Sequence, residues 1–473
     1  MNGVGRKEDQ EAGRRLMQTL EAETLRKRQS WYADALPMFA ADGTITQEQA
    51  EKVREYIGLP DADVMRLETP YAKAKKAGIL SEAQARKMDG YIFEKAHSGT
   101  ALCSGTAANH YTQDAVICGG SFYTDKRDDS VFKVSGGAAV SLKNVRIEKS
   151  GDTTDHSEGS FTGLNAAVLA EGGSFRIEDS EIISHAIGGN NVFAHGEGSR
   201  VLLWNVLLDA YGAASNRCVY VSFGGEVEAE GCEFTSRGSI SSTIATDTGG
   251  GTIRLKDCLV KTLGGHCASL YSTGHIEAEH CVCVAPETEG LIIVGDNTMD
   301  LKDTVVLSGQ GQGVKFSGGM EADPGRFSMS GGALTVCEGP VVSAQGAAEV
   351  VLERVAIANP EGKAVLGTPP MRMPGMPAPS ADSSARIHVL LRRQTLSGEI
   401  SGDSSHEILV EAAEKSELKI SVPEGNQAPV HIRLSADSRL TLLADTALAS
   451  LENEDPSGGN VDPQGFRLTI LEG

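Results

Sequence analysis

Aromatic residues are scarce, making up 5% of 473 residues, and only two of them are tryptophan. That composition argues against an ordinary α/β enzyme core. Long apolar runs are missing too: none approaches the roughly 18–20 residues that span a bilayer. The first thirty residues, rich in Arg, Lys and Glu, have no apolar stretch of the kind a secretory signal needs. The expectation is a soluble, cytoplasmic protein without membrane insertion. There is no phosphate loop, no Gly-x-Gly-x-x-Gly between a strand and a helix, and no metal triad, so no cofactor is expected. The nine cysteines are odd in number and lack paired metal-site spacing, which reads as reduced thiols.

What is present in excess is glycine, at 55 positions, and negative charge, with a net value of −21. Residues 1–98 hold sixteen basic and sixteen acidic side chains, so the remaining residues carry the whole imbalance. An acidic body of this kind repels nucleic acid and anionic lipid, and neither is an expected partner.

Residues 1–98 read as an α-helical module acting as a cap, a lid or a surface for homo-oligomer assembly. Within 5–36, Leu16, Leu20 and Leu25 form one apolar stripe that Trp31, Tyr32 and Leu36 extend, the pattern of an amphipathic helix. Two similar segments follow, 42–57 and 77–92. Thr46 with Gln49, and Ser81 with Gln84, have capping-box spacing, and Ile45 and Leu80 occupy the staple position before each cap. The fragment Asp42-Gly43-Thr44-Ile45 suggests an EF-hand loop only superficially. Its alignment puts Met38 and Ala40 at ligand positions and Gln49 where a bidentate Glu belongs, which argues against calcium.

Residues 99–473 repeat a strand, a glycine turn and apolar residues spaced h-x-h-x-x-h-x-h. Examples are Val140-Leu142-Val145-Ile147, Val201-Leu203-Val206-Leu208 and Ile276-Ala278-Cys281-Cys283. Alternation demands strands, and a fixed period in the twenties makes each copy one coil stacked on the last. Mainly β architecture follows, as a right-handed parallel β-helix. Glycine pairs such as Gly172-Gly173 and Gly224-Gly225 mark the turns. Cys232, Cys258 and Cys281 share one inward column and are expected to be buried thiols rather than metal ligands. A Pro/Met-rich loop at 367–385 interrupts the repeat, and shorter, more regular coils resume after it.

Phe161-Thr-Gly-Leu-Asn-Ala-Ala-Val-Leu-Ala, Asn191-Val-Phe-Ala-His-Gly-Glu-Gly, Leu270-Tyr-Ser-Thr-Gly and Leu448-Ala-Ser-Leu-Glu-Asn-Glu-Asp resemble the adhesin-like right-handed parallel β-helix proteins of anaerobic gut bacteria. The resemblance covers residues 129–470. Such proteins are usually exported, and the resemblance carries no general catalytic motif. Among broader β-helix relatives, the paired aspartates with an Arg-Ile-Lys motif of polygalacturonases are not found here.

Aligning coils on their glycine turns puts Val192, Tyr220, Ala245, Leu270 and Ile293 at equivalent strand positions. One wall or its rim then carries His195, Tyr220, Asp247 and Lys315 as candidate catalytic groups. Phe223 and Tyr271 on the same wall, with Asn191, Arg217 and His266 on the loops before it, are candidate substrate-binding residues. A His with a carboxylate, a phenol and a cation suits proton abstraction beside a carbonyl. The expectation is a lyase, isomerase or epimerase acting on a small polar or carbohydrate-like ligand. The alternative is a non-catalytic adhesin-like or carbohydrate-binding scaffold.

Overall fold

The spacing h-x-h-x-x-h-x-h joins two alternating halves by two residues, so a straight strand would turn the second half's apolar side chains outward. In the computed structural model, which describes residues 29–57, 69–96, 102–318, 323–369 and 385–471, one joining residue adopts a left-handed conformation and restores the phase. That residue is Asn144, Asp179, Asn205, Gly231, Asp257, His280 and Asp303 in seven successive coils, with φ between 47° and 64°. Asn, Asp and Gly tolerate this region best, which explains why they dominate the column.

Each coil thus holds a strand before the glycine turn, a strand after it, and a third beyond the left-handed bend. Stacked in register, these form a first, second and third sheet of 15, 14 and 10 strands, all parallel, wound as a right-handed β-helix. Val140, Leu142, Val145 and Ile147 are all buried, as are Val201, Leu203, Val206 and Leu208 two rows on in the same interior. After the strand Ala356–Ala358 the third sheet stops, and strands such as Ala385–Arg392, Thr395–Gly402 and His406–Ala413 continue only the other two sheets. Loss of one side per coil accounts for the shorter repeat there. The Pro/Met-rich loop lies outside the described residues except at its ends.

The residue after each bend points inward and faces a backbone carbonyl two positions back. Ser180 and Thr304 satisfy that carbonyl with hydroxyls, at 2.6 and 3.0 Å to Glu178 O and Lys302 O. Cys258 and Cys281 donate to Lys256 O and Glu279 O at 3.1 and 3.3 Å in the same way. The thiols therefore stand where hydroxyls stand in neighbouring coils. Among the described residues no group of three His, Cys, Asp or Glu is arranged to hold a metal ion.

Ahead of the β-helix, four helices are described: α1 (Gln29–Ala41), α2 (Gln47–Arg54), α3 (Pro70–Lys76) and α4 (Glu82–Ala96). The stretch 5–28 of the expected first helix lies outside the described residues, and the helix runs on past Leu36 and Pro37 to Ala41. Both expected capping boxes form, Thr46 with Gln49 and Ser81 with Gln84. Each box also grips the other: Gln49 Nε2 donates to Ile79 O at 2.7 Å, and Gln84 Nε2 donates to Thr44 O at 2.8 Å. Asp42 turns to the Lys87 ammonium at 3.0 Å, so its carboxylate already has a cation. Tyr32, Leu36, Phe39, Val53, Tyr71 and Met88 are buried together as a separate core.

Asp89 sits beside that core with Oδ1 buried and unpartnered, while Oδ2 accepts from Thr69 Oγ1 at 3.1 Å. Burial holds its carboxyl up at about 6, against 3.8 in the open chain. A carboxyl raised on folding supports the fold fully below its open-chain value and loses that support as pH climbs through its folded value. The stability reported by protection of α4 amides from hydrogen exchange is therefore expected to fall as pH rises from about 4 to about 6 and to level off above that. Asp89→Asn should remove that slope and add roughly 1–2 kcal/mol at pH 7.5; an unchanged slope contradicts the assignment.

Close stacking of coils is tested at Gly238, where an added Cβ would lie 1.9 Å from Gly212 O. Gly265, in the next coil, has nothing within 4 Å of that position. Gly238→Ala is expected to destabilise the protein by about 1–3 kcal/mol, whereas Gly265→Ala should leave the melting temperature nearly unchanged. Equal melting temperatures for the two variants would show that the coils can separate at no cost.

Candidate functional site

Register decides which side chains share a face. Phe193, Tyr220, Ala245, Tyr271, Ile292 and Lys315 stand in one outward column of the first sheet, and His195 pairs with Ser222 in the next. The alignment expected from the glycine turns is one residue off at Tyr220 and Ala245 and two off at Ile293. Val192 pairs with Val219, then Ile244, Leu270 and Leu291. With that correction His195, Tyr220, Asp247, Tyr271 and Lys315 all point away from the β-helix interior.

Outward does not mean open on this face. A fifth helix, α5 (His156–Phe161), and the chain after it lie across the sheet. Ser160 Oγ meets Ser215 Oγ at 2.5 Å, Asn190 Nδ2 donates to Gly159 O at 3.2 Å, and Ser104 N donates to Glu158 Oε1 at 2.7 Å. Beneath this cover Cys103, Leu164, Leu169, Phe193, Tyr220 and Ala245 form a second small core, with Tyr271 packed at its edge.

His195 is 4% exposed and serves as part of that closure. Ser222 Oγ donates to Phe161 O at 2.8 Å, so its one proton is spent. The 3.0 Å contact between Ser222 Oγ and His195 Nδ1 must then have the imidazole as donor. Phe223 packs edge-on against the same imidazole, with ring centroids 5.6 Å apart, on a backbone held at φ 50°. Such a conformation is strained for a bulky residue. Gly249 makes room for its ring, since a Cβ there would lie 2.2 Å from Phe223 Cδ1.

The structure does bring Arg217, Tyr220, Asp247 and Tyr271 together, and adds His156 from α5. The Arg217 guanidinium lies over the Tyr220 ring at 4.2 Å, and the buried Tyr220 hydroxyl donates to Asp247 Oδ2. Asp247 Oδ1 takes Thr248 N at 2.7 Å. Burial raises the Tyr220 phenol well above its usual value, with Asp247 adding to the effect. Tyr271 is pushed up to about 12, again mainly by burial. Burial and then the charge of Arg217 push His156 down to about 4. Near neutral pH the two phenols and the His156 imidazole are therefore neutral.

Three expected members stand apart. Lys315 is four rungs from Tyr220, roughly 19 Å at the strand spacing, and pairs with Glu289 at 3.1 Å. Asn191 turns inward, with Nδ2 donating to Ile182 O at 3.2 Å, because it lies at a coil corner. His266 is exposed and belongs with Gly188, Ser215 and Ile240 to a column of left-handed turn residues, so it is not equivalent to Arg217.

An open recess lies on the second sheet, where the sequence reading placed no site. It is a groove of about 770 Å³ crossing the strands from Ser174–Glu178 to Gly325–Ser330. One outward column runs Glu178, Trp204, Glu230, Lys256, Glu279 and Lys302. Its charges pair across rungs: Lys256 with Glu230 at 3.1 Å, Lys302 with Glu279 at 2.5 Å, and in the next column Arg254 with Glu277 at 3.3 Å. Trp204, 50% exposed, is the one aromatic among the groove's lining residues. Its place in an outward position of a charged column was the available sequence signal.

No protein-family model matches this chain, and no curated protein matches it in sequence.

If α5 is held down through Ser222, the variant Ser222→Ala should expose the segment 151–167 to proteolysis at least several-fold faster while the strands remain protected. Cleavage at the wild-type rate would show that Ser222 has no such role.

Proposed function

We propose that the protein is a carbohydrate-binding β-helix scaffold that holds a neutral glycan along the second-sheet groove. The observation that carries this reading is a half-exposed indole in an open, charge-compensated trough. Tryptophan offers a flat apolar face beside an N–H donor, a combination suited to ligands that are apolar on one side and hydroxylated at the edge. The flanking carboxylates, ammonium and guanidinium groups supply acceptors and donors for hydroxyls. Because these charges cancel across rungs, a polyanion gains little there, which favours a neutral chain over an acidic polysaccharide or nucleic acid. The groove crosses seven strands, roughly 29 Å at the strand spacing, a span suited to an oligomer rather than a single sugar. The resemblance to adhesin-like β-helix proteins supports the same reading.

Side-chain acid/base catalysis on the first sheet has less support. A base, an acid and a cation must reach one substrate, and His195 and Lys315 stand too far apart along the axis to do so. His195, moreover, lies beneath α5.

Binding is testable with the protein's own fluorescence. Trp31→Phe leaves Trp204 as the sole indole, and titration with neutral oligosaccharides should then give a saturable change in emission. Trp204→Ala, followed by calorimetry, should weaken binding at least about tenfold, or about 1.4 kcal/mol. Undiminished affinity in Trp204→Ala would remove the groove as the site, and release of shortened or rearranged product would favour catalysis instead.

A further inference from the structure

We propose that Arg217 and His156 form a receptor for a small oxyanion, a carboxylate or phosphate group, lodged between α5 and the first sheet. The site is distinct from the second-sheet groove and does not depend on it. Arg217 Nε and Nη1 are both buried and neither has a hydrogen-bond partner. The guanidinium cannot simply swing to find one, because it lies against the Tyr220 ring at 4.2 Å and its own backbone N is tied to Asn190 Oδ1 at 3.0 Å. The carboxylate in the cluster, Asp247, is committed elsewhere: Oδ2 to the Tyr220 hydroxyl, and Oδ1 to Thr248 N and Oγ1.

His156 supplies the second, independent observation. Its Nδ1 is also buried and without a partner. It comes from the covering helix rather than the sheet, and Asn190 ties the two segments together: its Oδ1 accepts Arg217 N at 3.0 Å and its Nδ2 donates to Gly159 O on α5 at 3.2 Å. Enclosed guanidinium N–H groups without acceptors are unfavourable, and so is a buried imidazole nitrogen left unpaired. One oxyanion at an edge of the guanidinium answers both: it neutralises the cation and accepts the N–H of that edge, and a neutral imidazole can donate to it. The Tyr271 phenol, half-buried beside the cluster and kept protonated, is a further donor for an oxygen of the same ligand. Because α5 is pinned on three sides, the ligand must be small.

Inorganic phosphate and acetate are the probes, titrated calorimetrically into the full-length protein against chloride at matched ionic strength. Saturable binding of one or both is expected, and the stronger of the two identifies the anion chemistry. Arg217→Met should weaken it at least about tenfold and His156→Ala by about threefold, with Trp204→Ala unchanged. The proposal is overturned if neither oxyanion binds beyond chloride, or if Arg217→Met binds as tightly as wild type. Should Arg217→Met fail to fold, His156→Ala decides: weakened binding supports the receptor, and undiminished binding refutes it.

Discussion

One left-handed residue in each coil holds the β-helix together. Two strands of alternating side chains can share an interior only if the link between them shifts the alternation by one, and Asn144, Asp179, Asn205 and their successors perform that shift. Once the phase is fixed, each strand finds its counterpart one rung away, and its backbone N–H and C=O groups are satisfied by neighbouring coils rather than by water. Everything else inherits this spacing. Interior columns carry Val, Ile and Leu, corner columns carry Ser, Thr or Cys facing a carbonyl, and outward columns carry whatever the surface requires.

Function inherits it as well. Groups on one face are separated by whole multiples of roughly 4.8 Å along the axis, so a compact constellation can draw on only two or three adjacent coils. Arg217, Tyr220 and Asp247 meet that condition because they lie in or beside strands of neighbouring coils, whereas Tyr220 and Lys315 do not. A long ligand suits the geometry better than a compact one, and the second sheet offers such a track. The two faces differ in what covers them. An insertion covers the first sheet and leaves polar atoms beneath it without partners, while the second stays open with its charges paired along the columns.

Much of this was legible in the sequence for a physical reason: periodicity of two within a period in the twenties admits few folds. The interior residues, the glycine turns and the cysteine column all followed from spacing, and the capping boxes from four side chains. Depth on the first sheet did not follow. Whether Tyr220 faces water depends on contacts such as Ser104 N to Glu158 and Ser222 to Phe161 O, which join segments more than fifty residues apart. No local pattern records such contacts. Register was missed by one residue at Tyr220 for a related cause, since coils of unequal length slip when aligned on their turns alone. Trp204 was readable in principle, because an indole among Glu178, Glu230 and Lys256 in an outward column serves no interior purpose.

The segment that closes the first sheet raises its own question of alignment, because apolar columns are nearly the same from rung to rung and would accept the cover at more than one height. Charge removes that degeneracy. Lys133 and Glu171 pair at 2.8 Å although their side chains are only 10% and 8% exposed, and Glu171 Oε1 also accepts Cys103 N at 2.7 Å. Both partners stand on neighbouring strands of the first sheet, so what a misplaced cover would lose is the Cys103 N–H bond to Glu171 Oε1, leaving a buried carboxylate short of a donor, which is costly. The penalty for the wrong position, rather than the gain in the right one, sets where the cover sits. Ser104, next to Cys103, donates its backbone N–H to Glu158 on α5, so the Glu171 carboxylate at one end of the satellite core helps set the height at which α5, and His156 with it, lies on the sheet.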